Sequence, residues 1–90
     1  MDDNNIVKMS RDYLLERCDG EHIVYHPTLE TSMYLNDTGA IIWQLCDGTR
    51  TVAEIIAVLA DCYPESRHDI GVGVKELLVK LVDKQIATLV

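Results

Sequence analysis

The stretch Leu35-Asn36-Asp37-Thr38-Gly39-Ala40-Ile41-Ile42-Trp43, continued by Leu45-Cys46-Asp47-Gly48 and Thr51-Val52-Ala53-Glu54-Ile55, holds two helix starts separated by one helix stop. Asn36 or Asp37 offers a side-chain oxygen to the unpaired N–H groups of a first helical turn. Gly48 is the expected stop, because glycine takes the left-handed conformation past a helix end without a Cβ clash. Thr51 and Glu54 have the spacing of a capping box, in which each side chain satisfies the other residue's backbone N–H. The apolar residues of this stretch include no catalytic group. Two short helices joined by a tight turn frame the fold.

On the N-terminal side the pattern is strand-like. Residues 13–18 mix apolar and charged side chains, and Asp19-Gly20 is a strong hairpin-turn pair. Ile23, Val24 and Tyr25 are β-formers, and Pro27 ends that strand. A third strand, Thr31-Ser32-Met33-Tyr34-Leu35, runs directly into the first helix. Its alternation puts Thr31, Met33 and Leu35 on one face, with Ser32 and Tyr34 on the other. Residues 1–10 are polar apart from Ile6, Val7 and Met9, and are expected to be a flexible extension of a domain spanning residues 11–90.

The helices are expected over residues 37–47, 52–63 and 69–84, with Pro64 stopping the second and Asp69 a possible cap of the third. In the third helix, Ile70, Val74, Leu77, Leu78 and Leu81 make one stripe for the core. A second line, Gly71, Lys75, Leu78 and Val82, lies about a quarter turn away, with Val72 and Val79 further round. One helix on one core does not need so wide an apolar surface. The surplus fits a groove wall, a dimer contact or a loosely specified last helix.

Ninety residues with 48% apolar content make one folding unit, and the apolar runs are too short to span a membrane. The acidic start, Met1-Asp2-Asp3, is unlike a secretory signal, so a cytoplasmic location is expected. A net charge of −7 argues against nucleic acid as the main partner, since that binding rests on Lys and Arg neutralising phosphates. The three cysteines form no C-x-x-C pair; Cys46 and Cys62 fall at apolar helix positions and are expected to be buried thiols. His22 and His26 are too far apart along a strand, about 13 Å, to share a metal. With Cys18 they read as solvent-facing strand positions, His68 as a surface residue and Trp43 as core. No nucleotide-binding loop, metalloprotease motif or nucleophile elbow is present, so neither enzyme activity, metal nor cofactor is expected.

Together, Leu35-Asn36-Asp37-Thr38-Gly39-Ala40 with Trp43, then Asp47-Gly48, Thr51-Val52, Glu54-Ile55 and Tyr63, resemble the PqqD-like family of peptide-binding proteins. The Asp19-Gly20 hairpin and the spaced leucines Leu77, Leu78 and Leu81 add to that resemblance. It implies an α+β fold related to winged helix-turn-helix domains, with a three-stranded antiparallel sheet packed on three helices. It also implies recognition of the leader of a ribosomally made precursor peptide, added as a strand beside the third strand and walled by the third helix. The bound peptide would then be presented to a modifying enzyme, such as a radical SAM enzyme or a leader protease. Lys84-Gln85-Ile86 departs from the family's pattern, which places a glycine near the end of that helix, and leaves residues 86–90 without an assignment.

The residues support this independently. An edge strand offers unpaired N–H and C=O groups that strand addition satisfies. Thr31, Ser32, Met33, Tyr34 and Leu35 are the candidate edge, with Gly71, Lys75, Leu78, Val79 and Val82 the candidate wall. Lys75 is the candidate partner for an acidic leader residue. A winged-helix DNA-binding regulator and a purely structural subunit that dimerises through its edge strand are the competing readings.

Overall fold

The computed structural model describes all 90 residues. Its α+β architecture has two three-stranded antiparallel sheets and three helices. Strands β1 (Ile6–Met9), β2 (Leu14–Cys18), β3 (Glu21–Tyr25) and β4 (Ser32–Leu35) precede helix α1 (Asp37–Leu45). Strand β5 (Asp47–Thr51), helix α2 (Val52–Cys62), a 3-10 turn (Pro64–Ser66), helix α3 (Arg67–Asp83) and strand β6 (Ala87–Leu89) complete the chain. One sheet has the order β2-β3-β4, the other β5-β1-β6.

The first sheet is the expected one. Asp19 and Gly20 both take positive φ, at 51° and 82°, as a tight two-residue hairpin turn requires, and Cys18 pairs with Glu21 across it. The second sheet replaces the expected flexible extension. Ile6–Met9 is its middle strand, and Val7 is fully buried. The carbonyls of Asn5 and Asp3 accept from the Val52 and Ala53 N–H groups (2.8 and 3.0 Å), so this segment also satisfies the first turn of α2. A short strand whose inward residues are only Val7 and Met9 carries little hydrophobic signal of its own; its pairing partners are remote in sequence.

Asn36 caps α1 by accepting from the Gly39 N–H at 2.7 Å. The helix ends at Leu45, before Gly48, which instead lies in β5 at φ 85° against the Lys8 side chain. The capping box of Thr51 and Glu54 is present. Helix α3 starts at Arg67 rather than at Asp69, out of the 3-10 turn, with no side-chain cap bond. At its end Gln85 takes φ 62°, the conformation that favours glycine. The Gln85 N–H donates to the Val82 carbonyl and the Ile86 N–H to that of Leu81, at 3.0 and 2.9 Å. This Schellman closure reverses the chain without glycine and delivers Ile86 and Ala87, both fully buried, into the core and β6.

The core joins Val24 and Leu35 from the first sheet with Ile42, Trp43 and Cys46 of α1, Ile55 and Leu59 of α2, and Val74, Leu78 and Leu81 of α3. Burial pushes the Cys46 thiol up to about 12, with the nearby Asp47 charge adding to it, so the group is an inert core member. Cys62, by contrast, is exposed, at the last turn of α2.

Candidate functional site

β4 is an edge strand, bonded to β3 on one side only. The His26 N–H donates to the Thr31 carbonyl at 3.2 Å, and β3 pairs with β4 at Val24–Met33 and His22–Leu35 in the same register. Alternation of an antiparallel ladder then turns the backbone groups of Thr31, Met33 and Leu35 toward β3. Those of Ser32 and Tyr34 point to the open edge.

Between this edge and α3 lies a cavity of about 350 Å³. Met33, Tyr34 and Leu35 form one bank, and Ile70, Gly73, Val74, Leu77 and Lys80 of α3 the other. Ile42 and Leu59 contribute from α1 and α2, and Asn36, Thr38 and Gly39 close the end where β4 meets α1. Lys80 is the sole charged residue in the lining. The volume is more than twice that of the roughly 150 Å³ apolar cavity that accommodates benzene.

The opening motif of the sequence builds this end of the site. A Cβ on Gly39 would come within 3.2 Å of Asn36 Oδ1 and of Leu35 Cβ, so glycine lets the cap close directly on the end of the edge strand. His22 Nε2–H donates to Asp37 Oδ1 at 2.8 Å and ties β3 to the first turn of α1. His26 Nδ1 accepts from the Thr28 and Leu29 N–H groups at 3.1 and 3.0 Å, fastening the loop that enters β4. Neither histidine is an idle surface position. No three His, Cys, Asp or Glu residues are placed to hold a metal ion.

Met33, Tyr34 and Leu35 belong to the cavity lining, Tyr34 with most of its surface exposed, and Thr31 and Ser32 lie outside that lining. It does not bring in the second line of α3. Leu78 is fully buried in the core, and Val82 is half-buried against that core. Gly71 faces Ile56 of α2, Lys75 Nζ bonds Asp3 Oδ1 at 2.7 Å, and Val79 is exposed away from the cavity lining. The wall is instead the line Ile70, Gly73, Leu77 and Lys80, part of which the periodicity assigns to the core. The correction amounts to a rotation of the helix. Both lines carry one glycine and one lysine among apolar residues, so the sequence alone does not choose between them.

An open strand edge facing a helix across an apolar groove defines a small α+β binding domain. The sequence matches the family described as coenzyme PQQ synthesis protein D (PqqD) over residues 21–87, and the chain belongs to that family. A relative from Klebsiella pneumoniae (strain 342), called PqqA binding protein, is 40% identical over 68 residues, covering 73% of this chain and 72% of that protein. Another of the same name, from Kluyvera intermedia, is 33% identical over 87 residues, covering 94% and 91%. Among solved structures, TbiB1 in complex with the TbiA(beta) leader peptide superposes with a TM-score of 0.71 over 89% of this chain and 93% of that one. At 22% identity, that likeness is one of fold.

Proposed function

We propose that this chain binds the leader segment of a ribosomally synthesised precursor peptide by strand addition to β4 and presents it to a modifying enzyme. The observation that carries the proposal is the coincidence of an unpaired strand edge with an apolar cavity along the same strand. Membership of the PqqD family and relatives named PqqA binding protein support a PqqA-type peptide as the ligand.

The geometry gives the binding a definite pattern. The N–H and C=O groups of Ser32 and Tyr34 pair with the incoming strand, whose side chains opposite Met33 and Leu35 then point into the cavity. Two apolar residues two positions apart are therefore selected, and Lys80 favours an acidic neighbour at the rim. Each backbone bond contributes about 0.5–1.5 kcal/mol net, and apolar burial supplies most of the remainder. The chain acts as an adaptor: it supplies binding and orientation, and the covalent chemistry belongs to a partner enzyme such as a radical SAM enzyme or a leader protease.

β4 carries no charge and no proline, so in the absence of peptide it is also open to a second copy of the chain. A weak dimer that dissociates as peptide is added follows from this. Titrating a synthetic PqqA peptide into isotope-labelled protein tests the site. Amide shifts are expected at Ser32–Leu35 and at Ile70, Gly73, Val74 and Leu77. Shifts confined to β2, β5 or β6 would contradict it.

A further inference from the structure

We propose that Gly73 determines which side chains the groove accepts, by leaving bare helix backbone where a bulky apolar residue of the bound strand is seated. This rests on the strand-addition reading above.

Gly73 lies in the interior of α3, where glycine is unfavourable relative to alanine. Its backbone is not in the left-handed region, so no strained conformation calls for glycine. Nor does packing: a Cβ built there meets no atom within 4 Å. The contrast with Gly39 is direct, since a Cβ at Gly39 would press on Leu35 and on its own cap residue at 3.2 Å. At Gly39 a side chain would crowd its neighbours, whereas nothing in the free fold uses the space at Gly73.

That space opens into the cavity. Gly73 stands one helical turn from Leu77 and from Ile70, and both line the same wall. It therefore forms a notch between two large side chains, opposite the bank made by Met33 and Leu35. A strand paired with β4 points alternate side chains at this notch. The notch suits a side chain of aromatic size, which reaches the helix backbone, and leaves a small one in an under-filled cavity. Lost dispersion contacts make such under-filling unfavourable.

Gly73→Ala separates the proposal from a purely structural role because stability and binding move in opposite directions. Helix propensity should raise the melting temperature by roughly 4–8 °C. The added methyl group should weaken peptides with an aromatic residue at the notch by about tenfold or more. The probe is a phage-displayed library of random peptides selected on the full chain and on Gly73→Ala, with the best peptide from each mapped by amide shifts.

The result expected is aromatic residues alternating with the backbone-paired positions on the wild-type chain, smaller aliphatic ones on Gly73→Ala, and both peptides shifting Ser32–Leu35. Peptides that shift Ser32–Leu35 but show the same side-chain preference on both chains would overturn the role of Gly73 and leave the groove in place. Selected peptides that shift no β4 amide would overturn the groove, and this proposal with it.

Discussion

β4 and β5 are both edge strands of three-stranded sheets, and the chain treats them in opposite ways. In β5 the Asp47 carboxylate accepts from the Thr49 N–H (2.9 Å), the Thr49 hydroxyl (2.6 Å) and the Arg50 guanidinium (2.6 Å). A backbone donor that a second strand would use is thus occupied by the strand's own side chain, with both signs of charge beside it. β4, Ser-Met-Tyr-Leu, has no such device, and its open side runs along the cavity. Edges are usually blunted because they recruit other strands. Of the other two edges, β2 carries Glu16 and Arg17 and β6 is only three residues long, and neither lines the cavity, so β4 is the edge whose setting suits a partner strand.

The widest separation between the two treatments is expected on α3, which faces the open side with one line and the core with another. Leu78 is fully buried, so Leu78→Asp places an unpaired charge in the core and should abolish folding, seen as loss of the cooperative thermal transition. Leu77 lines the groove and is only half-buried, so Leu77→Asp should keep a cooperative transition while abolishing peptide binding. Equal unfolding by both would mean that the groove is closed in solution.

A smaller effect is expected at the edge itself. Ser32 is the first residue of β4 and its N–H points outward, so Ser32→Pro removes no ladder bond. Stability should change little, and peptide affinity should fall by about tenfold or more by calorimetry. Thr49→Pro in β5, tested in parallel, should leave that affinity unchanged.

Smaller again is the end of α3. Gln85 takes a conformation that glycine adopts without strain, so Gln85→Gly should raise stability by about 1 kcal/mol in urea unfolding and leave binding unaltered. The smallest effect concerns acid. Hydrogen bonds from the Thr49 side chain and backbone, with Arg50 nearby, hold the Asp47 carboxyl below its ordinary range. Bonds from the Thr51 backbone and side chain do the same for Glu54. A carboxyl with a lowered folded value contributes stability above the unfolded value and loses it as pH falls through the folded one. Stability should therefore decline below about pH 4, and less steeply in Asp47→Asn with Glu54→Gln.

Three local signals decide their own geometry, whereas Gly48 as a helix stop and Asp69 as a helix cap do not hold. The Asp19-Gly20 turn, the Asn36 cap and the Thr51–Glu54 box all form where their residues place them. The alternation that puts Met33 and Leu35 inward and Tyr34 outward holds as well. What escaped the sequence depends on partners distant along the chain. Val7 is buried only because β5 and β6 flank it, and β6 reaches it only because Gln85 accepts a glycine-like conformation. The candidate wall was legible as a surplus of apolar surface on α3, yet not in its rotation. Only packing against α2 decides whether Leu77 or Leu78 faces the core, and adjacent positions differ by about 100° around a helix.

The central claim is that a peptide adds to β4 through the outward groups of Ser32 and Tyr34. Hydrogen exchange of single amides, with and without a synthetic PqqA peptide, reads those groups directly. The Met33 and Leu35 N–H groups face β3 and should already be protected in the free chain, whereas those of Ser32 and Tyr34 should exchange freely and slow at least about tenfold once peptide is bound. The Thr49 amide, held by Asp47, should be indifferent to peptide. Saturable binding that leaves Ser32 and Tyr34 exchanging as fast as before would contradict strand addition at β4.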